Sequence, residues 1–503
     1  MDFAVLAYGF SVVLNPVVLL YIVGGTILGV VFGAMPGVSS SMAVVLAMPF
    51  SLAMPPVTAL AFMVAVYCAA ITGGGITAIL FKIPGTPSSA ATTFDGYPMV
   101  LRGEGGKALG LSLVGSAIGG MIAAIAMALI SPQLTQVALT FGPAELAAIA
   151  FLGLSVLTCL DQGNVIQTLI SGLLGLWLAT VGMDPIYGYA RFTWGNSTLL
   201  NGIPMIPAMI GMFAVVEVLK QTIKRDQLSS VEGEGKSKGT KTTLPPLKEW
   251  FGYKWTVLRS SIIGTVVGIL PGAGATIASF LSYATEVKMA KAEDRESYGK
   301  GNPRGVLASE CANNGATGGS LVPLLSLGIP GGAAAAIMMT ALTIRGVSMG
   351  PMLLVRQPEM LTSVFASMVV TNIVMVFVSV WIAKVFSKIL EVPYSILGTC
   401  ILLMSAVGSF ALFSSTGDVM IMVLSGIAGY VLISKFKFNA AAIILGLVLG
   451  DMIEANASRA VTLSGGDIFS IFTRPITGTI MVISVVILLT PIIKPLIFKK
   501  KAA

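Results

Sequence analysis

The chain has 503 residues, of which 55% are hydrophobic and only 10% charged, and its mean hydropathy is +0.92. That composition excludes a soluble globular domain, and the net charge of +8 does not point to nucleic acid, because the basic residues gather at the ends of apolar segments, as they do in cytoplasmic loops of membrane proteins. With no histidine in the chain, the commonest proton shuttle and transition-metal ligand is missing, and serine–histidine hydrolase chemistry is excluded with it.

From Asp2 to Lys82 no Asp, Glu, Lys or Arg intervenes, and the same holds from Leu109 to Ala144. Roughly 20 apolar residues cross a bilayer, so these runs read as several spans joined by short turns. No basic region precedes the first apolar segment, which is therefore expected to stay as a span. The β-barrel alternation is absent. The expected fold is all-α: a polytopic membrane protein of about 10–12 spans, with discontinuous helices and re-entrant hairpins. Cys68, Cys159, Cys311 and Cys400 lie in apolar segments without CxxC spacing and read as small packing residues.

Two helix breaks punctuate the first part of the chain. The first is GVVFGAMPGVSSS, residues 29–41, with Gly37 in the turn and Ser39 and Ser40 behind it. The second is FKIPGTPSSAATTFDG, residues 81–96, with Lys82, Pro84, Gly85, Thr86, Pro87, Ser88 and Ser89. An LRG triplet follows at Leu101 to Gly103, and further spans are expected near 109–130, 143–160, 163–182 and 203–222. A hydrophilic stretch rich in Ser, Gly, Lys and Pro then divides the chain into a first transmembrane repeat, 1–222, a cytoplasmic linker, 223–256, and a second repeat, 257–503.

The division exposes a repetition. GTVVGILPGAGAT, residues 264–276, superimposes Gly264, Gly268, Pro271 and Gly272 on Gly29, Gly33, Pro36 and Gly37 at one constant offset. TGGSLVPLLSLGIPGGAAA, with Thr317, Pro330, Gly331 and Gly332, matches TGGGITAILFKIPGTPSSA, and IRG at Ile344 to Gly346 matches LRG. The charged stretch 286–305 has no counterpart in the first copy and reads as a solvated loop. Spans near 361–383, 393–412, 418–434, 439–454 and 476–498, counted from a cytoplasmic Lys499–Lys501 tail, place Lys384, Lys388, Lys435 and Lys437 inside and Arg345 outside. In the first half, counting back from a cytoplasmic Lys220–Arg225 cluster puts Arg102 and Lys107 inside, so the matched triplets fall on opposite faces, the expectation for an inverted-topology repeat.

In hydrocarbon a helix can break only where protein or trapped water satisfies the freed backbone groups, and paired breaks in two repeats point to a midplane site. A helix N-terminus after a Pro-Gly turn offers unpaired N–H groups to a carboxylate, and the hydroxyls of Thr86, Ser88, Ser89, Ser39 and Ser40 can join it. Unwound carbonyls at Gly37 and Gly272, with the amides of Asn313 and Asn314 and the hydroxyl of Thr317, suit a coupling cation, Na+ in preference to H+. Lys82 either attracts an anion or snorkels to an interface; the asparagines either bind a cation or bond neighbouring helices; the GxxxG pairs Gly29/Gly33 and Gly264/Gly268 read first as packing faces. Glu310, just before Asn313, is an intramembrane ionisable residue. Asp161, Glu217, Asp418, Asp451 and Glu454 lie near span ends and read as solvated or capping groups. An intramembrane enzyme would need a nucleophile–base pair, and Ser88 has no evident base.

PGVSSS, GGGITAILFKIPGTPSSAATTFDGYPM, YGKGNPRGVLASECANNGATGGSLVPLLSLGIPG and LGLVLGDMIEANASRAVTLSGGDIFSIFTRPI together make the chain resemble the large membrane subunit of the tripartite tricarboxylate transporters, over about Leu14 to Leu496. The resemblance implies a multi-pass permease of the bacterial cytoplasmic membrane, with no cofactor beyond the coupling ion. It implies two partners, a small membrane subunit and a periplasmic solute-binding protein, and citrate-like carboxylates as substrates. The alternative is a stand-alone transporter or exporter of another small organic anion.

Overall fold

The structure, a computed structural model, describes residues 3–35, 37–160, 165–184, 188–223, 242–389, 394–467 and 469–498. Pro36, Asp161, Lys224, Arg225, most of the expected linker with Lys236, Lys238 and Lys241, and the Lys499–Lys501 tail lie outside the described residues.

Apolar runs with little charge become long helices. In chain order they are α1 Phe3–Val13, α2 Pro16–Ala34, α3 Ser40–Leu52, α4 Pro56–Phe81, α5 Thr93–Leu101, α6 Gly105–Ala138, α7 Pro143–Leu160, α8 Val165–Ala179 and α9 Met205–Ile223. After the linker come α10 Leu247–Ile269, α11 Gly274–Met289, α12 Pro303–Leu327, α13 Ala333–Ile344, α14 Pro358–Ile389, α15 Tyr394–Phe413, α16 Thr416–Phe436, α17 Ala440–Leu463 and α18 Pro475–Phe498. Seven of these, α2, α4, α6, α9, α14, α16 and α17, are long and apolar enough to cross a membrane. Strand is confined, among the described residues, to the two-residue pairing of Gly182–Met183 with Ala190–Arg191. The chain is an all-α polytopic membrane protein.

Helix starts follow their capping residues. Asn15, Ser39, Asn302 and Asn439 each accept a backbone N–H in the first turn of α2, α3, α12 and α17, and Pro16 and Pro303 occupy first-turn positions where no N–H is needed.

The centre of the molecule is α4 against α12. Nearly every residue of both is buried, which explains why α12 tolerates Ser309, Glu310, Asn313, Asn314, Thr317 and Ser320: protein surrounds it on all sides. The two helices meet through polar pairs, Tyr67 Oη with Ser320 Oγ at 3.2 Å, Cys68 Sγ with Thr317 Oγ1 at 3.5 Å, and Asn314 Nδ2 donating to Thr72 Oγ1 at 2.8 Å. On the periphery α14, α16 and α18 expose Phe377, Trp381, Leu424, Ile427, Val482 and Val486, a surface suited to lipid.

The GxxxG glycines are packing faces. A Cβ on Gly29 would lie 2.5 Å from the Val66 carbonyl oxygen of α4, and one on Gly268 would lie 2.5 Å from that of Ala316 on α12. Thus α2 sits on α4 and α10 sits on α12 at backbone contact distance.

The stretch 286–305 is largely exposed between Lys288 and Lys300, as expected of a solvated loop, but its two ends are held inside. Glu286 is buried and pairs with Arg259 while accepting from Thr256 Oγ1 at 2.9 Å; farther on, the Gly301 and Asn302 N–H groups bond Asp95 Oδ1 at 2.8 and 2.7 Å. Asp95 is itself fully buried and also accepts from Tyr283 Oη at 2.9 Å, so the loop is clamped onto α5. Glu286 at one end and the Gly301 and Asn302 amides at the other are inward partners that hydropathy alone does not reveal.

Candidate functional site

Both IPG segments turn the chain the same way. α4 ends on Lys82 with φ 59°, and α12 ends on Gly328 with φ 74°, the left-handed conformation that terminates helices. The chain then doubles back, so that Gly85 N–H bonds the Gly74 carbonyl and Gly331 N–H bonds the Ser320 carbonyl, each at 3.3 Å. Both turns admit only glycine at these positions. A Cβ on Gly85 would lie 2.8 Å from Thr77 Oγ1 and collide with the Gly33 carbonyl, and one on Gly331 would lie 2.6 Å from Ser320 Cα.

The Pro-Gly breaks between α2 and α3 and between α10 and α11 also share a geometry. Gly37 has φ +88° and Gly272 φ +80°, the region open to glycine. Gly272 N–H bonds the Gly331 carbonyl at 2.9 Å, joining the two breaks of the second half.

All four breaks border one cavity of about 730 Å³, within the range of ligand sites. Ser39, Ser40 and Ser41 line it from α3, Thr86, Pro87 and Ser88 from the first IPG turn, Gly272 to Ile277 from α11, and Gly332 to Ala334 from α13. Phe438 to Ala441, at the start of α17, close another side. The N-termini of α3, α11, α13 and α17 therefore converge on one space, and those of α11 and α13 carry no side-chain cap, which leaves first-turn N–H groups for a ligand. Thr86 Oγ1 and Ser88 Oγ, 3.0 Å apart, add hydroxyls to the wall.

Sequence reasoning did not place Lys220 and Lys437 here, having read them as topology markers. Both line the cavity, and among the described residues neither forms an ion pair. Glu217, which accepts from Gln221 Nε2 at 3.0 Å, lines the same wall and offsets one of them. The walls between α9 and α16 thus add net positive charge to the helix N-termini. A π-helical turn at Gly211–Val215 inside α9 brings Met212 and Phe213 to the cavity as apolar lining.

Of the residues expected to bind substrate, Ser39, Ser40, Thr86, Pro87, Ser88 and Gly332 line this cavity, as does Gly272 from the expected ion set. Pro84, Gly85, Ser89, Pro330 and Gly331 build the turns without lining it. Lys82 is exposed and stands over the Tyr97 ring at 5.8 Å, away from the cavity. Gly37 lies beside Glu217, where a Cβ would approach Oε1 to 3.0 Å. Asn313, Asn314 and Thr317 are buried on α12, the last two bonded to α4.

A second cavity, about 840 Å³, lies toward the other ends of α13 and α17 and is lined by Met205, Thr340, Asp418 and Asp451. Its charged groups are acids, which suits an anion less well.

No solved structure matches the chain. An Agrobacterium vitis protein described as an uncharacterized 52.8 kDa protein in the TAR-I ttuC' 3' region is 34% identical over 492 residues, 97% of this chain and 96% of that protein. A second from the same organism, described as an uncharacterized protein in the TAR-II ttuC' 3' region, is 33% identical over 234 residues, 46% of this chain and 96% of that protein. The model of the tripartite tricarboxylate transporter TctA family matches residues 19–445. The chain belongs to the tripartite tricarboxylate transporter TctA family, a family of membrane transporters.

Proposed function

We propose that the chain is the permease subunit of a cation-coupled secondary transporter that imports tricarboxylates or related small carboxylates by alternating access. The observation that carries this reading is the convergence of four helix N-termini, the hydroxyls of Thr86 and Ser88, and Lys220 and Lys437 on one cavity. A ligand with several carboxylates gains a partner on each wall, whereas a cation meets the positive ends of helix dipoles.

The two halves, 1–222 and 257–503, act as inverted repeats in this reading, and one repeat-derived unit moves against a scaffold around the shared cavity. Cross-bonding between the halves supports it. Arg102 donates to the Gly301 carbonyl, in the connection before α12, and its counterpart Arg345 donates to the Met54 carbonyl, in the connection before α4. Lys220 and Lys437 belong to the clusters counted as cytoplasmic, so the cavity opens inward. The protein acts in a bacterial cytoplasmic membrane with a small membrane subunit and a periplasmic binding protein that delivers the carboxylate.

Uptake of radiolabelled di- and tricarboxylates into proteoliposomes tests the proposal, with the small subunit and cognate binding protein present or omitted. The expected result is accumulation that needs an imposed cation gradient and both partners. Accumulation by the chain alone sinks the tripartite reading, and no accumulation of any carboxylate sinks the substrate class.

A further inference from the structure

Glu310 is fully buried in α12. Thr92 Oγ1 donates to its Oε1 at 2.5 Å and Ser116 Oγ to its Oε2 at 2.7 Å. Among the described residues no Lys or Arg pairs with it. The other titratable groups nearby are Cys311 on the same helix and Asp95 on α5, which is committed to Gly301, Asn302 and Tyr283. An ionised carboxylate withdrawn from water without a counter-charge is strongly disfavoured, and hydroxyl donors offset only part of that cost.

The surroundings hold more oxygen than the protein uses. Ser112 and Asn313, which lies three residues along α12 and so on the same face, also turn polar atoms to the Glu310 carboxylate, and the Asn313 Oδ1 oxygen finds no donor. Both residues are fully buried. Gly75 of α4 backs this cluster at contact distance: a Cβ there would lie 2.7 Å from Glu310 Oε1 and 2.9 Å from Ser112 Oγ, so both oxygens press on a wall that has no room for a side chain.

We propose that Glu310, Ser112, Ser116, Thr92 and Asn313 form a sodium site against the bare backbone of Gly75, and that this is the coupling-ion site; the second clause rests on the transport reading above. A proton on Glu310 would neutralise the carboxylate yet leave Asn313 Oδ1 buried and without a donor. A sodium ion takes the carboxylate and these neutral oxygens together. The site joins α12, which leads into the second IPG turn, to Thr92, which follows the hydroxyls of the first, so its occupancy bears on both hairpins.

Equilibrium binding of radioactive sodium to the purified full-length protein, without carboxylate, tests the site. Saturable binding is expected in the wild type and lost in Glu310→Gln and in Gly75→Ala, which pushes a methyl group against Glu310 Oε1 and Ser112 Oγ. Ser112→Ala removes one of the oxygens around the carboxylate and adds no volume; it should fold and weaken sodium about tenfold. Thermal unfolding without sodium identifies any variant that fails to fold. No sodium binding by the wild type, or wild-type affinity in Ser112→Ala, overturns the proposal. Neither outcome touches the transport reading, which depends on carboxylate uptake: uptake driven by a pH gradient in a protein that binds no sodium removes this site and leaves the permease.

Discussion

Replacing Ser88 with alanine isolates one wall of the cavity. In the free protein Ser88 Oγ exchanges a hydrogen bond with Thr86 Oγ1 at 3.0 Å, a neutral pair whose loss costs about 1 kcal/mol of stability. The backbone of the turn is untouched, because Gly85 N–H and Ser89 N–H bond carbonyl groups. In the complex the same hydroxyl faces a carboxylate. A hydrogen bond to a charged acceptor contributes about 1.5–3 kcal/mol, which converts to roughly a tenfold to hundredfold change in dissociation constant. Ser88→Ala should therefore weaken carboxylate binding by that factor while shifting thermal unfolding little. Isothermal titration of the purified protein measures the first and a thermal melt the second. Unchanged affinity in a folded variant would show that the first IPG turn does not touch substrate.

Lys437→Ala and Lys220→Ala should each raise the half-saturation concentration for uptake, and the double variant should do so more than either, read from initial rates in proteoliposomes. Asp95→Ala leaves the buried N–H groups of Gly301 and Asn302 without an acceptor and should destabilise the protein by about 3 kcal/mol, seen as a lowered melting temperature; a melt like the wild type's would mean that the clamp on α5 is dispensable. Gly268→Ala places a Cβ 2.5 Å from the Ala316 carbonyl and should destabilise by about 1–3 kcal/mol, whereas Gly252, with open space around it, should accept alanine at no cost by the same melt. Lys107 and Glu249 pair at the head of α6 and α10 with about 30% of each side chain exposed, so Lys107→Ala should cost less than about 1 kcal/mol.

The helix breaks were legible because Pro and Gly act locally: a left-handed residue or a missing N–H ends a helix whatever surrounds it, and the positions after Phe81 and Leu327 end their helices as the sequence indicates. That Ser39, Thr86, Ser88 and Gly332 face one space followed from pairing the breaks. Lys220 and Lys437 were not legible as cavity residues, since their placement depends on how α9 and α16 pack, which no local pattern records. Glu310 stood out in the sequence, but its partners Thr92, Ser112 and Ser116 come from α6 and the segment before α5, far away in the chain. Lys82 shows the reverse case: adjacency to the break suggested a ligand role, yet the left-handed turn points it to Tyr97 at the surface.

The central claim is that the carboxylate binds in the cavity between the four breaks. Ser40→Cys, made together with Cys400→Ala, which removes the thiol exposed among the described residues, and with Cys159→Ala, places a reporter on the α3 wall. Alkylation by a membrane-impermeant maleimide, with reagent confined to either face of oriented vesicles, reads its environment. The account predicts modification from the cytoplasmic face and protection by a transported carboxylate at concentrations matching its half-saturation. Labelling that proceeds at the same rate with and without saturating substrate would contradict it.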